Sequence, residues 1–387
     1  MKIVRDINFI VRPTQACAIL PQFRGTGDDF CVSKGGQLYG YFISFVLLIS
    51  SVTFCVDVLF NASNFKILKN KHGDTEEINQ TIETLFCIIS YTMIVISCVY
   101  NSSKHCRTFK DIAKIDEYLE AGGFTGSYTC PFLAILISLI SFGVVAVAFY
   151  YIHIRSEITS TEQCVLLTAY ALQMLFAGVF ALYLRVVLKN ITRRIEFVNQ
   201  KLDEFTKESA KENWRDLSNL IEIFCKFRYI TENINSVTGV GLLFYIGYAF
   251  YTVTNQSYLA FSTLTTIHEQ PKGQYNTMGL SIAWVLAEVM TMSIICSSCD
   301  SMSSEANTTS QILARVYGKS KEYQNIIDKF LTKSIKQDVQ FTAYGFFVID
   351  NSTLFKIFSA VTTYLVILIQ FKQLEDSKME DQIAAQT

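Results

Sequence analysis

Four polar side chains punctuate one apolar stretch near the end of the chain: Lys356, Ser359, Thr363 and Gln370. On a helix turning about 100° per residue, the other three fall within about 40° of Thr363. Leu354, Phe358, Val361, Leu365 and Leu368 occupy the opposite face. Polar groups at membrane depth are costly unless they face protein or water. Such a stripe either joins its helix to a protein partner or lines an aqueous path built from one helix per subunit of a symmetric oligomer. Lys356, at one end of the stretch, also has the option of snorkelling to the interface.

A second constellation is Trp284 and Glu288, four residues apart and so on one helical face. A carboxylate inside an apolar stretch needs a pairing or functional reason. An aromatic plate beside it suits a sugar ring or a cationic compound. Cys296 and Cys299 form a lone C-x-x-C with no second pair and no nearby histidine, a poor zinc site. Buried free cysteine behaves as a small hydrophobe. No metal and no cofactor is expected. No H-E-x-x-H, G-x-S-x-G or P-loop pattern occurs, so the chain does not read as an enzyme. A net charge of −1 excludes a nucleic-acid binder on electrostatic grounds.

These residues must be positioned by spanning helices. Half of the residues are hydrophobic and 17% are charged, against about 25% charged in soluble domains. A spanning helix needs about 20 mostly apolar residues. Seven stretches qualify: Leu38 to Phe60, Thr81 to Tyr100, Cys130 to Ile152, Cys164 to Leu188, Val237 to Ala260, Met278 to Ser297 and Leu354 to Phe371. The four prolines all fall outside the middle of these runs, so the helices should be mostly unkinked. No continuous apolar h-region precedes the first run, so the first span is expected to act as its own insertion signal.

Of the 33 lysines and arginines, 24 fall in segments on the N-terminal side of the membrane and seven on the other. The positive-inside rule then puts the N-terminus in the cytosol and the C-terminus outside. The sequons at Asn61 and Asn79 fall in the first outer loop and agree with this sense, but those at Asn101, Asn190 and Asn307 fall inside, so sequons alone decide little. The expected fold is an all-α membrane protein of seven transmembrane helices. Residues 1–37 form a cytosolic N-terminal segment, 38–188 the first four spans, and 237–297 the fifth and sixth. Residues 189–236 and 298–352 are cytosolic, 353–371 the last span, and 372–387 an acidic, mobile outer tail.

The two long cytosolic segments carry helical periodicity. Ile195, Val198, Leu202 and Phe205 are followed by Leu217, Leu220, Ile221 and Phe224. In the second segment Ile326, Ile327, Phe330, Leu331, Ile335 and Val339 repeat the pattern. These helices either fold back onto the membrane surface or extend the spans into a packed base where subunits meet.

The last span also reads T-Y-x5-Q-F, from Thr363-Tyr364 to Gln370-Phe371, and is preceded by Ala343-Tyr344-Gly345-Phe346-Phe347-Val348-Ile349-Asp350. Both runs resemble the C-terminal signature of the insect gustatory receptors. The resemblance implies a ligand-gated, non-selective cation channel in the plasma membrane of sensory neurons. It would be a homotetramer, or a heterotetramer with other receptors of the family. It implies a pore lined by the last helix of each subunit, with Ser359, Thr363, Tyr364, Ile367, Gln370 and Phe371 in the pore or at its gate. It also implies a pocket for a small tastant, a bitter compound or a sugar such as fructose, open to the outside among the second to sixth spans. The outer halves of those spans hold Tyr91, Tyr150, Tyr151, His153, Tyr170, Gln173, Trp284 and Glu288. Partners are then the tastant, permeating cations and the lipid bilayer. The dedicated sugar receptors of the family more often place an acidic residue after the motif tyrosine, where Leu365 stands here. The rival seven-span class, the G-protein-coupled receptors, needs the opposite orientation, and neither D-R-Y after the third span nor N-P-x-x-Y in the seventh is present. A transporter would be expected to show repeats and broken helices, which are not apparent.

Overall fold

The computed structural model describes residues 6–25, 30–60, 74–125, 161–207, 214–266, 271–317, 321–330 and 338–384. A short helix α1 (Asn8–Ala16) leads into a two-residue hairpin of β1 (Phe23–Arg24) and β2 (Cys31–Val32). Then come α2 (Lys34–Phe60), α3 (Asp74–Tyr100), α4 (Ser102–Ala121), α5 (Thr161–Lys207), α6 (Trp214–Thr266), α7 (Pro271–Tyr317), α8 (Lys321–Phe330) and α9 (Asn351–Ala384). Pro271 opens α7, where its missing N–H costs nothing.

Among the described residues, six helices are long and apolar enough to cross a membrane, within Lys34–Thr53, Thr81–Tyr100, Leu172–Phe205, Arg215–Leu264, Met278–Tyr317 and Asn351–Leu374. They correspond to six of the seven stretches read from the sequence. The other, Cys130 to Ile152, lies outside the described residues. The chain is thus an all-α, multi-pass membrane protein.

Helices α5, α6 and α7 run 47, 53 and 47 residues without a break. Each span therefore continues rigidly into the bundle's far end, called the base below. Many of the residues that set the amphipathic pattern form its core. Ile195, Val198, Leu202, Leu217, Leu220, Ile221, Phe224 and Ile327 are buried. A buried pair, Arg194 on α5 and Asp116 on α4, closes one side of the base. On another side Asn199 of α5 donates to Glu305 of α7 at 2.6 Å and accepts from the Thr309 hydroxyl at 2.6 Å. In the described parts of these segments the apolar face packs against protein.

Three expectations are corrected. The stretch 298–352 is not helical throughout: after α8 the chain is irregular from 338 to 350. Val339 continues no helix, because both of its backbone polar groups are taken by the Asn307 side chain, at 2.9 and 3.3 Å; Ile335 lies outside the described residues. The segment after Phe371, expected to be a separate mobile tail, is the last part of α9 as far as Ala384. It holds no proline or glycine and is rich in Lys, Gln and Glu, which favour helix. Asn79 is not a glycan acceptor in the folded chain. It is 8% exposed on α3, and its Oδ1 accepts from the Tyr251 hydroxyl.

The polar N-terminal segment also folds. Ile7, Ile10, Val11, Ile19, Leu20 and Phe30 are buried, and the Tyr39 hydroxyl of α2 donates to the Ala16 carbonyl at 2.6 Å.

A polar site among the spans and an exposed last helix

Helix α3 supplies the inner stripe of the site. Asn79, Glu83, Cys87 and Tyr91 follow at four-residue spacing, and all are buried. Ser90 lies beside them and is fully buried. Helix α6 faces the start of this stripe. Asn255 Nδ2 donates to Glu83 Oε2 at 2.5 Å, and Gln256 Nε2 lies 3.2 Å from both oxygens of the same carboxylate. Helix α7 brings Glu288, 2% exposed, to the Tyr245 hydroxyl of α6, which donates to its Oε2 at 3.0 Å. The two carboxylates lie within electrostatic reach of each other, and Cys87 within reach of both. Helix α5 closes the site: Gln173 Nε2 donates to Ser90 Oγ at 3.3 Å, and Phe176 stacks on Tyr91 with centroids 5.9 Å apart.

Close helix approach makes this possible. A Cβ on Gly241 of α6 would stand 3.2 Å from the Ile94 Cα of α3, so the glycine lets the two backbones meet. One turn earlier, Ser97 Oγ of α3 donates to the Val237 carbonyl of α6 at 2.7 Å.

Of the residues expected to touch ligand, Tyr91, Gln173, Trp284 and Glu288 are all buried among α3, α5, α6 and α7. Gln173 meets the α3 stripe through Ser90, while Trp284 sits one turn before Glu288 on α7. Tyr170 lies on α5, one turn before Gln173. Tyr150, Tyr151 and His153 lie outside the described residues. Sequence reasoning missed Glu83 and its partners Asn255 and Gln256, together with Tyr245, Tyr251 and Asn79. Glu83 carried a signal, an acid two residues inside an apolar run, but position alone gave it no partner.

The second functional element is α9. Its apolar face rests on the bundle: Val361 is buried, Leu354, Phe358, Leu365 and Leu368 are half-buried, and Tyr364 meets Phe250 of α6 edge-on at 5.6 Å. Lys356, Ser359, Thr363 and Gln370 are all exposed on the isolated chain. So are Tyr364, Ile367 and Phe371. The start of α9 is fixed. Asp350 caps it, accepting from the Thr353 N–H at 2.7 Å and the Ser352 hydroxyl at 2.9 Å. Burial acts to raise the Asp350 carboxyl, but these donors and nearby Lys356 outweigh it, and the net shift is downward. The capping loop carries Tyr344 and Gly345 at φ +51° and +83°, a left-handed pair that turns the chain sharply. It is tied to α6 by Asn235, whose Oδ1 accepts from the Thr342 N–H at 3.0 Å.

Fold and site together define an all-α, multi-pass membrane protein with a polar site enclosed among its spans and a partly polar helix exposed at its edge. Residues 7–375 match the family described as 7tm Chemosensory receptor. The chain is 61% identical to Gustatory receptor 68a of Drosophila melanogaster, over 98% of this chain and 99% of that one. It is 37% identical to Gustatory and pheromone receptor 32a of the same species, over 100% of this chain and 89% of that one. The fold is similar to that of the insect olfactory receptor OR5 from Machilis hrabei, solved in complex with eugenol. The TM-score is 0.62 at 13% identity, covering 96% of this chain and 100% of that one. The chain belongs to the 7tm chemosensory receptors, among the insect gustatory receptors. It is a sensory receptor rather than an enzyme.

Proposed function

We propose that the protein is a ligand-gated, non-selective cation channel in the plasma membrane of sensory neurons, opened by a small extracellular tastant. Helix α9 of each subunit of a tetramer lines the pore. The observation that carries this reading is the orientation of α9. Its apolar face packs on its own bundle, so the stripe of Lys356, Ser359, Thr363 and Gln370 has no cover within the chain. At membrane depth such a stripe needs water or a neighbouring subunit, and a central aqueous pore between identical helices supplies both. Thr363 and Ser359 face that path, and Ile367, Gln370 and Phe371 stand at its outer end beside Tyr364. The N-terminus is cytosolic, a sense that the excess of loop charge on its side supports. The long helices of the base then form the cytosolic anchor that subunits share, with 1–37 and 298–352 inside and 372–387 outside.

The ligand enters from outside and reaches the site bounded by α3, α5, α6 and α7. Bitter compounds and sugars fit its mixture of aromatic rings and acceptors. The names of the relatives add pheromones to the candidate class. Recording from cells expressing the receptor alone tests the reading. Ligand-evoked cation current that persists when G-protein signalling is blocked supports it. A response that vanishes under that block would overturn it.

A further inference from the structure

Glu83 and Glu288 are two carboxylates, 0% and 2% exposed, within electrostatic reach of each other inside the spans. Among the described residues no arginine, lysine or histidine pairs with either; their partners are Asn255, Gln256 and Tyr245, all neutral donors. A carboxylate taken out of water without a counter-charge is costly, and two that repel each other cost more. Neutral donors soften that cost; what removes it is a proton or a counter-charge brought from outside the chain.

Two further atoms show that the site is incomplete. Asn79, one turn before Glu83, has its Nδ2 buried with no hydrogen-bond partner, while its Oδ1 is held by Tyr251. Gln173, fully buried, is bound to Ser90 through Nε2 and has its Oε1 without a partner. An orphan donor on α3, one turn before Glu83, and an orphan acceptor on α5, against Ser90 of α3, thus lie on the same face of α3 as Glu83. Buried polar groups are otherwise nearly always paired.

We infer that the Glu83–Glu288 cluster is a binding site for the ammonium group of an organic cation, which narrows the ligand class of the proposed receptor. The inference rests on reading the chain as a ligand-binding receptor, not on its forming a channel. A sugar would bring hydroxyls but no charge. An ammonium group neutralises one carboxylate outright and offsets the repulsion from the other. Polar groups elsewhere on the ligand pair with the Gln173 carbonyl and the Asn79 amide. Tyr245 and Tyr251 bring hydroxyls to Glu288 and Asn79. A bare metal ion is disfavoured, because no group of three or more acidic, histidine or cysteine side chains among the described residues is arranged to hold one.

The test uses full-length receptor in lipid nanodiscs at neutral pH and constant ionic strength, with thermal unfolding as the readout. The probes are 2-phenylethylammonium chloride, its neutral counterpart 2-phenylethanol, and sodium chloride titrated against choline chloride. The expected result is a saturable rise in the melting midpoint with the amine and none with the alcohol. Glu288→Gln and Glu83→Gln should each weaken the amine's apparent affinity about tenfold or more. An equal shift from amine and alcohol overturns the inference. So does no saturable shift with the amine, or an unchanged affinity in both variants. A sodium-dependent shift lost in the variants would reassign the site to an inorganic cation. The comparison of amine with alcohol on the unaltered receptor stands even if one variant fails to fold. Tastant-evoked current without amine binding would remove the ammonium class and keep the channel. Saturable amine binding without current would keep the site and remove the channel.

Discussion

Arg194 and Asp116 form a bidentate ion pair in the interior of the base. Arg194 Nε donates to Asp116 Oδ1 at 2.6 Å and Nη2 to Oδ2 at 3.0 Å, and the arginine is 1% exposed. Its third contact, from Nη1 to the Asn190 carbonyl at 2.7 Å, and the Phe124 ring 5.3 Å away leave the guanidinium fully enclosed. The pair locks α4 to α5. Removing one partner strands a charge, so Asp116→Ala should cost about 3–5 kcal/mol. Replacing both with apolar residues of similar size should recover most of the loss. Thermal unfolding of detergent-purified protein would check this; equal damage from single and double variants would show that packing, not charge, governs the site.

Gly239 of α6 sits under the loop that starts α9. A Cβ there would stand 3.1 Å from the Tyr344 amide nitrogen and 3.3 Å from the Thr342 carbonyl oxygen. Both are backbone atoms, and Asn235 and Asn307 hold this loop. Helix propensity alone would favour alanine by about 0.5–1 kcal/mol, whereas forced overpacking costs about 1–3 kcal/mol. The second effect should win. Gly239→Ala is expected to lower stability by about 1 kcal/mol and to weaken ligand-evoked current more than expression, because the loop carries α9. A variant as stable and as responsive as wild type would show that the loop yields freely.

The spans and the base were legible because helical periodicity is local. Thr81 to Tyr100 was read with the bounds the structure gives, and Ile195, Val198 and Leu202 proved buried as their spacing predicts. The α9 wheel was legible for the same reason: which residues share a face depends on one helix alone. Partnership between helices was not. Glu83 meets Asn255 across 172 positions, and nothing within α3 encodes that distance. Asn79 looked like a surface sequon because a three-residue motif carries no burial. Val339 looked helical because its spacing continued a pattern that the Asn307 side chain interrupts.

Gln370 tests the role of α9. Gln370→Lys would place a ring of positive charge on a cation path, and inward cation current should fall several-fold with surface expression unchanged. Gln370→Ala should shift relative cation permeability, read from bi-ionic reversal potentials. If both leave conductance and selectivity as they were, the stripe packs against protein and α9 does not line the pore.

His105, at the start of α4, is 5% exposed. Its Nδ1 lies 3.1 Å from the Tyr183 hydroxyl, and its Nε2 is buried without a partner. Burial holds its pKa down from the ordinary 6.5 to about 4. The unfolded chain therefore binds a proton that the folded one refuses across that interval, and stability rises with pH there. The contribution is present in full above about pH 6.5 and is lost as pH falls toward 4, a loss on the order of 3 kcal/mol. His105→Phe keeps the ring and removes the proton site. It should flatten the decline in thermal midpoint between pH 6.5 and 4 relative to wild type, while at pH 8 it loses only the Tyr183 contact, about 1 kcal/mol. Parallel pH profiles for the two proteins would show that acid sensitivity in this range arises elsewhere.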